Sequence, residues 1–251
     1  MGRLEWLTRV QRYGQRVAAR SLARRPFVID TQTPFISFSF DDFPRSALLT
    51  GGAILNSYGL SGTYYASLGL MGSEAPTGSI FRREDLNALL EQGHELGCHT
   101  YSHCHAWDTR PTVFEHSVIE NQRALSKLIP GATFKTLSYP ISVPRAGTKR
   151  RMAKHFVCCR CGGQTFNIGN VDLNYLSAFF LEKSRDPQSI KDLIDQNQRN
   201  RGWLIFATHD VSNTPTSWGC TPDLFEEIVR YALRSGARIL PVLQAFESLQ
   251  H

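Results

Sequence analysis

Long hydrophobic runs are missing from this sequence: no stretch approaches the roughly 18 consecutive apolar residues that a membrane-spanning helix needs. Cysteine is sparse, with six in 251 residues, too few for a disulfide scaffold in a chain of this length. There is no internal repeat, no low-complexity tract and no Ser/Gly-rich linker, which excludes solenoids and flexibly strung domains. Acid is almost absent from residues 1–25, where Glu5 stands alone against seven arginines: Arg3, Arg9, Arg12, Arg16, Arg20, Arg24 and Arg25. The whole chain has a formal net charge of +6, so that segment accounts for all of it and the rest is electrically balanced. A phosphate-tracking fold would spread its cations over a face of the folded body, so no nucleic-acid partner is expected. The arginines also occupy the place where a secretory signal needs its apolar stretch. Cys98, Cys104, Cys158, Cys159, Cys161 and Cys220 therefore read as reduced thiols, and the expected location is cytoplasmic.

What is present begins with a helical pattern from Leu4 to Leu22, where Trp6, Val10, Tyr13 and Val17 recur at spacings of three and four beside Arg9, Arg12, Arg16 and Arg20. This basic amphipathic arm, taken as residues 1–30, packs on the body or on a second copy, or docks on an anionic membrane surface. The latter would place the protein at the inner face of the membrane.

Hydrophobic residues make up 41% of the chain, enough for a substantial core, and residues 31–251 read as one domain. Short β-prone runs alternate there with helical ones. The expected strands are Phe35 to Phe40, Gly62 to Ser67, His94 to His99, Thr133 to Ser138, His155 to Arg160, Trp203 to Thr208 and Arg238 to Leu240. Helices are expected over Arg82 to Gln92, Thr112 to Ile129, Ser189 to Asn200 and Pro222 to Arg234. Alternation of this kind builds an α/β fold with a parallel sheet, and about seven units suit a closed or nearly closed β/α barrel, with an open doubly wound sheet as the alternative. In the first strand Ile36, Phe38 and Phe40 share one face while Ser37 and Ser39 take the other, leaving room inside a narrow barrel.

Active sites of such barrels are built at the C-terminal ends of the strands, and several expected strands end in reactive groups: Asp41-Asp42, His99 to His103, Ser138-Tyr-Pro140 and His209-Asp210. His99 and His103 would converge if they occupy a helical turn. With one carboxylate they supply three ligands and leave a divalent ion, zinc by default, an open position for water. Such an ion acidifies bound water and polarises a carbonyl. Hydrolysis then needs a base and an acid. Asp41 and Asp42 can divide the work between metal and water, with His209 as the acid. Cys158-Cys159-Arg-Cys161 lacks a second cysteine pair and reads as core thiols on a strand.

Ser39-Phe40-Asp41-Asp42 resembles the Thr-Phe-Asp-Asp-Gly motif of the polysaccharide deacetylase family, carbohydrate esterase family 4 with its NodB-homology domain. His99-Thr-Tyr-Ser-His103 is similar to the family's His-Ser/Thr-x-x-His motif, with Gly93-His-Glu-Leu-Gly97 as its lead-in, and Ile205 to Asp210 is similar to the late histidine motif. The resemblance implies a distorted (β/α)7 barrel and a metal-dependent hydrolase that removes N-acetyl groups from an amino sugar in a polysaccharide, oligosaccharide or lipid-linked glycan. It implies Asp41 as base, Asp42, His99 and His103 as metal ligands, and His209 as acid. Tyr139, the Ile141 backbone and Trp218 become candidates for holding the N-acetylated glycan.

This sequence departs from the family's pattern in three places. Phe43 replaces the glycine after the Asp pair, which would make the first loop bulkier and alter the sugar pocket. Ser138 replaces the arginine that braces the base, leaving Arg145 as a candidate substitute. No Asp-x-x-Asp-Trp motif is present, leaving Asp172 as the candidate for orienting His209. Two other readings keep the same barrel: hydrolysis of a non-sugar amide or cyclic imide, and a glycan-binding homologue without turnover.

Overall fold

Bulky and small side chains alternate along Phe35–Phe40, and in the computed structural model this run is the first strand of a closed barrel. Residues 3–250 are described, with side chains from Val10 onward. Trp6 and Arg9 of the amphipathic stripe therefore lie outside the described side chains. In chain order the elements are α1 (Arg3–Ser21), β1 (Pro26–Ile29), β2 (Phe35–Phe40), a π-helical turn (Ala47–Gly52) running into α2 (Ala53–Ser57), β3 (Thr63–Ala66), and a small hairpin of β4 (Glu74–Ala75) and β5 (Gly78–Ser79). Then follow α3 (Arg83–Glu91), β6 (Glu95–Cys98), α4 (Pro111–Leu128), β7 (Thr136–Ser138), α5 (Ala146–Met152), β8 (Cys158–Gly162) and β9 (Gly169–Asp172). The last part holds β10 (Leu176–Phe180), α6 (Pro187–Asn200), β11 (Trp203–Thr208), α7 (Pro222–Arg234), β12 (Arg238–Ile239) and α8 (Val242–Ser248).

Seven parallel strands close on themselves in the order β2-β3-β6-β7-β8-β10-β11 and back to β2. The number matches the sequence expectation, but the membership does not. β10 was not anticipated, because it follows β9 and no helix. The run at Arg238 pairs only with the lower part of β2, at Phe35 and Ile36, below the Ser39 and Phe40 pairs that β2 makes with β3. That wedge, with a single pair joining β6 and β7, is the distortion of the barrel. The expected strand at His155 also starts later, at Cys158.

Register sorts the side chains. Phe35, Ser37 and Ser39 pair with Trp203, Ile205 and Ala207, so the odd-numbered residues of both strands share the interior. There the Trp203 indole donates to Ser37 Oγ at 3.0 Å and Ser39 Oγ donates to the Phe206 carbonyl at 2.6 Å. The even-numbered Phe38 and Phe40 face out, with ring centroids 5.5 and 5.6 Å from Phe225 of α7. The room left by the serines is filled by Tyr65, which lies against Gly97: a Cβ there would sit 2.5 Å from the Tyr65 ring.

The lower, strand-N-terminal end is plugged by Glu95. Its carboxylate accepts from Thr63 Oγ1 at 2.8 Å, Thr136 Oγ1 at 2.5 Å and the Leu243 amide of α8 at 2.9 Å. Helices outside the barrel start on local signals. Asp186 caps α6 by accepting from the Gln188 and Ser189 amides, Thr221 caps α7 through the Leu224 amide, and each cap is followed by a proline at the first helical position.

The segment preceding the barrel is tied to this lower end. β1 pairs antiparallel with β9, and Asp172 at the end of β9 accepts the Arg25 and Asn174 amides on Oδ1, both at 2.9 Å, and Lys149 Nζ on Oδ2 at 2.6 Å. The same ammonium donates to the Ala19 and Leu22 carbonyls at 2.6 and 2.7 Å, satisfying carbonyls at the end of α1 that have no further turn to bond. Asp172 is thus engaged far from His209, contrary to the role expected for it. The chain reaches the lower end before β9, where Asn167 and Trp203 exchange backbone hydrogen bonds, and the pairing of β9 with β1 keeps Asp172 there.

Candidate active site

Strand parity delivers the reactive groups to one place. Asp41 continues the inward series Ser37, Ser39; His99 continues Glu95, Gly97; and His209 continues Ile205, Ala207. Each lies one residue beyond its strand, at the upper rim. Among the described residues eight non-glycine ones have positive φ, and five of them are at this rim: Asp42 (61°), Phe43 (53°), Thr100 (62°), His103 (51°) and Ile141 (67°). Left-handed backbone at such residues costs energy and concentrates at functional sites. His99 and His103 therefore converge through two left-handed residues in a loop, where the sequence suggested a helical turn. That loop is pinned by Ser117 of α4, which takes the Tyr101 amide on Oγ at 3.0 Å.

Asp42, His99 and His103 offer ligand atoms that all lie within 4.8 Å of one another. Nε2 of His103 is 3.0 Å and Nε2 of His99 is 3.4 Å from Asp42 Oδ1. His99 Nδ1 lies 2.8 Å from the Ser138 carbonyl, which fixes the proton on Nδ1 and leaves the Nε2 lone pair facing the carboxylate. The other carboxylate oxygen, Oδ2, accepts from Thr77 Oγ1 at 3.0 Å. Oδ1 is buried with no hydrogen-bond donor of its own. A buried, unpartnered carboxylate oxygen is costly. The 3.0 and 3.4 Å separations of Oδ1 from the two imidazole nitrogens also suit two edges of a tetrahedron with bonds of about 2.0 to 2.1 Å. The donor set fits a divalent ion. Burial would raise the Asp42 carboxyl, but with no metal bound, His103 and His99 in their protonated, donating forms outweigh it and hold it well below the usual range.

Asp41 is braced by a residue that sequence reasoning missed. Arg160 of β8, fully buried, donates from Nη2 to Asp41 Oδ1 at 2.5 Å, with its guanidinium carbon 4.5 Å from the centre of the Tyr65 ring. Burial pushes the Asp41 carboxyl up, but Arg160, His99 and His209 hold it below its ordinary value against the nearby Asp42 charge. Arg145, the substitute suggested by the sequence, instead donates to the Trp107 carbonyl. The missed signal lay inside the cysteine run: arginine is almost never fully buried unless paired, so one in the middle of a core strand demands an acid. The thiols themselves are free and buried, and burial pushes Cys159 up to about 12.

His209 is half-buried, and its Nδ1 lies 3.3 Å from the Trp218 carbonyl. A backbone oxygen thus occupies the place expected for an orienting aspartate. Asp210 next to it is turned into its own loop, accepting from Thr216 N and Oγ1. That loop closes tightly over Gly219, where a Cβ would lie 2.1 Å from Asp210 Oδ1. The Trp218 ring is exposed, 6.5 Å from the His209 ring, and Phe180 lies at the same distance, nearly parallel to it.

Ile141 is 65% exposed in a tight turn closed by Ser142 N to the Pro140 carbonyl at 2.7 Å. Tyr139 is buried, its ring 6.1 Å from Phe114, so its side chain belongs to the packing under α4. Phe43 is also fully buried, stacked on Phe81 at 4.7 Å. The glycine replacement therefore thickens the core beneath the loop and does not reshape the pocket. Arg45, two residues on, clamps Asp85 of α3 with Nε and Nη2 at 2.8 and 3.2 Å.

With this geometry in place, comparison with known proteins becomes decisive. Residues 29–156 match the family model described as polysaccharide deacetylase. The chain belongs to the polysaccharide deacetylase family. That match holds the three ligand residues and Asp41 but ends before Arg160 and His209. Similarity of the fold extends over a larger share of the chain. A family 4 acetyl xylan esterase from Clostridium thermocellum, in complex with a cobalt ion, superimposes with TM-score 0.61 at 18% identity, covering 86% of this deacetylase-family chain and 91% of its own. The Xyl-CE4 domain of a multidomain xylanase from the hindgut metagenome of Trinervitermes trinervoides gives 0.59 at 17% identity, with the same coverage. The peptidoglycan deacetylase PdaC from Bacillus subtilis, as a D285S mutant, gives 0.52 at 19%, covering 88% and 94%. No curated protein sequence matches this chain significantly.

Proposed function

We propose that this protein is a metal-dependent hydrolase that removes N-acetyl groups from an amino sugar within a polysaccharide, oligosaccharide or lipid-linked glycan. The observation that carries this reading is the buried, unpartnered Asp42 Oδ1 between two imidazole nitrogens, directly beside an Arg160-braced Asp41. A divalent ion held by Asp42, His99 and His103, zinc as first choice, would polarise the acetyl carbonyl and make a water nucleophilic near neutral pH.

The chain's own residues supply the rest. Asp41, kept ionised by Arg160, takes the proton from the attacking water on the carboxylate oxygen that Arg160 does not hold. The Ile141 amide, which makes no hydrogen bond among the described residues, donates to the developing oxyanion. His209, with Nδ1–H held by the Trp218 carbonyl, gives the proton on Nε2 to the departing sugar nitrogen. Trp218 offers an exposed ring face to the sugar. Arg160 also favours turnover over a binding-only role, since it fills the brace that Ser138 cannot. A cytoplasmic enzyme of this kind would act on a biosynthetic precursor.

Acetate release from N-acetylated oligosaccharides, measured with zinc and with a chelator, tests the reading. Release should require the metal. Asp41→Asn should lower the rate by about 10²–10⁴-fold with metal content unchanged, and His103→Ala should remove both metal and activity. No release by the zinc-loaded protein from any acetylated glycan, with turnover of cyclic imides instead, would overturn it.

A further inference from the structure

Helix α1 turns Val10, Tyr13 and Val17 away from the rest of the protein. Successive helical residues are about 100° apart, and the face toward the barrel is made by buried Ala19 and half-buried Gln15 and Ala18. Val10, Tyr13 and Val17 lie on the opposite side, 48%, 65% and 45% exposed. Arg12, Arg16 and Arg20 are exposed along one flank of that stripe. From Trp6 to Ile29 the sequence holds six arginines and no acid. Among the described residues, Lys149 holds the C-terminal end of the helix through the Ala19 and Leu22 carbonyls.

An apolar stripe alone fits any apolar partner, and the charge selects among them. A second copy of the helix packed on this stripe would set Arg12, Arg16 and Arg20 against their own counterparts, with no acid among residues 6–21 to pair them. A nucleic acid would leave the stripe uncovered. An anionic bilayer surface satisfies both halves, with headgroups for the arginines and acyl chains for Val10, Tyr13 and Val17.

We propose that α1 lies in the interface of an anionic lipid surface and holds the barrel there. No helix among the described residues is long and apolar enough to cross a membrane, so the contact is with the surface. The root of α1 is at the strand-N-terminal end of the barrel and Asp41, Asp42, His99 and His103 are at the other end. Docking through α1 thus leaves the mouth uncovered.

Co-sedimentation of the full chain with phosphatidylcholine vesicles, with and without phosphatidylglycerol, tests the proposal. Binding should require phosphatidylglycerol and weaken as salt rises. Arg12→Gln with Arg16→Gln should weaken partitioning by about thirtyfold. Tyr13→Ser with Val17→Ser should weaken it as well while preserving the salt dependence, and unchanged circular dichroism would show that both variants remain folded. Three outcomes would each overturn the proposal: no binding to anionic vesicles at low salt, equal binding to neutral ones, or a concentration-dependent dimer abolished by Tyr13→Ser with Val17→Ser.

Discussion

Two buried ion pairs sit at opposite ends of this barrel, and they differ in how completely they are satisfied. At the lower end Lys149 spends its three donors on Ala19, Leu22 and Asp172, and Asp172 takes two further amides on its other oxygen. At the mouth Arg160 holds Asp41 just as closely, yet Arg160 Nε and the neighbouring Asp42 Oδ1 are buried without partners. A closed network fixes one structure, whereas unspent valence in a buried site is what a ligand or reacting group completes. The same residue chemistry thus serves attachment below and, in the function proposed, catalysis above.

The largest effect should come from opening the closed end. Lys149→Met strands Asp172 as a buried charge and should cost about 3–5 kcal/mol in urea unfolding. Metal uptake by the folded fraction should be unchanged. Adding Asp172→Asn should recover about 2 kcal/mol, because the asparagine keeps the oxygen that takes Arg25 and Asn174 and turns a donor toward the freed carbonyls. Loss of metal uptake in the folded single variant would show that the two ends are coupled.

At the open end the cost should appear in rate. Arg160→Gln keeps a donor near Asp41 but removes the charge, and should lower kcat by about 10–100-fold with metal content retained. Its unfolding free energy should fall less than that of Lys149→Met, since Asp41 retains the imidazoles of His99 and His209 nearby. A stability loss as large as that of Lys149→Met with full kcat would reverse the assignment of the two ends.

Much of the mouth was legible because its signals are local. Strand alternation carries Asp41, His99 and His209 inward one residue past their strands, and each could be read from the parity of its own segment. Arg160 acts on a residue 119 positions away, through a register that only barrel closure establishes. Asp172 was misplaced for the converse reason: its meaning depends on β9 pairing with β1, a pairing with no helix-strand rhythm to announce it. Phe43 shows a third limit. The bulk expected to reshape the pocket is instead packed away: φ is positive there, as suits the family's glycine, but full burial against Phe81 and Tyr64 offsets a strain of about 1–3 kcal/mol. The sequence shows the residue and conceals the packing that makes it tolerable.

The finest separation of the two ends uses one uncharged donor from each. Thr77→Val removes the donor to Asp42 Oδ2 and should weaken zinc binding by about tenfold, read by chelator competition. The apoprotein's stability should change by less than about 1 kcal/mol. Asn174→Ala removes the donor to the Ala23 carbonyl at 3.0 Å, but it also deletes an Oδ1 that is buried without a partner. These effects oppose each other, so the loss in unfolding free energy should be held to about 1 kcal/mol, with zinc affinity unchanged. If Asn174→Ala weakened zinc binding as much as Thr77→Val does, the lower end would be part of the site's own support, and the division between an attachment end and a metal-binding end would fail.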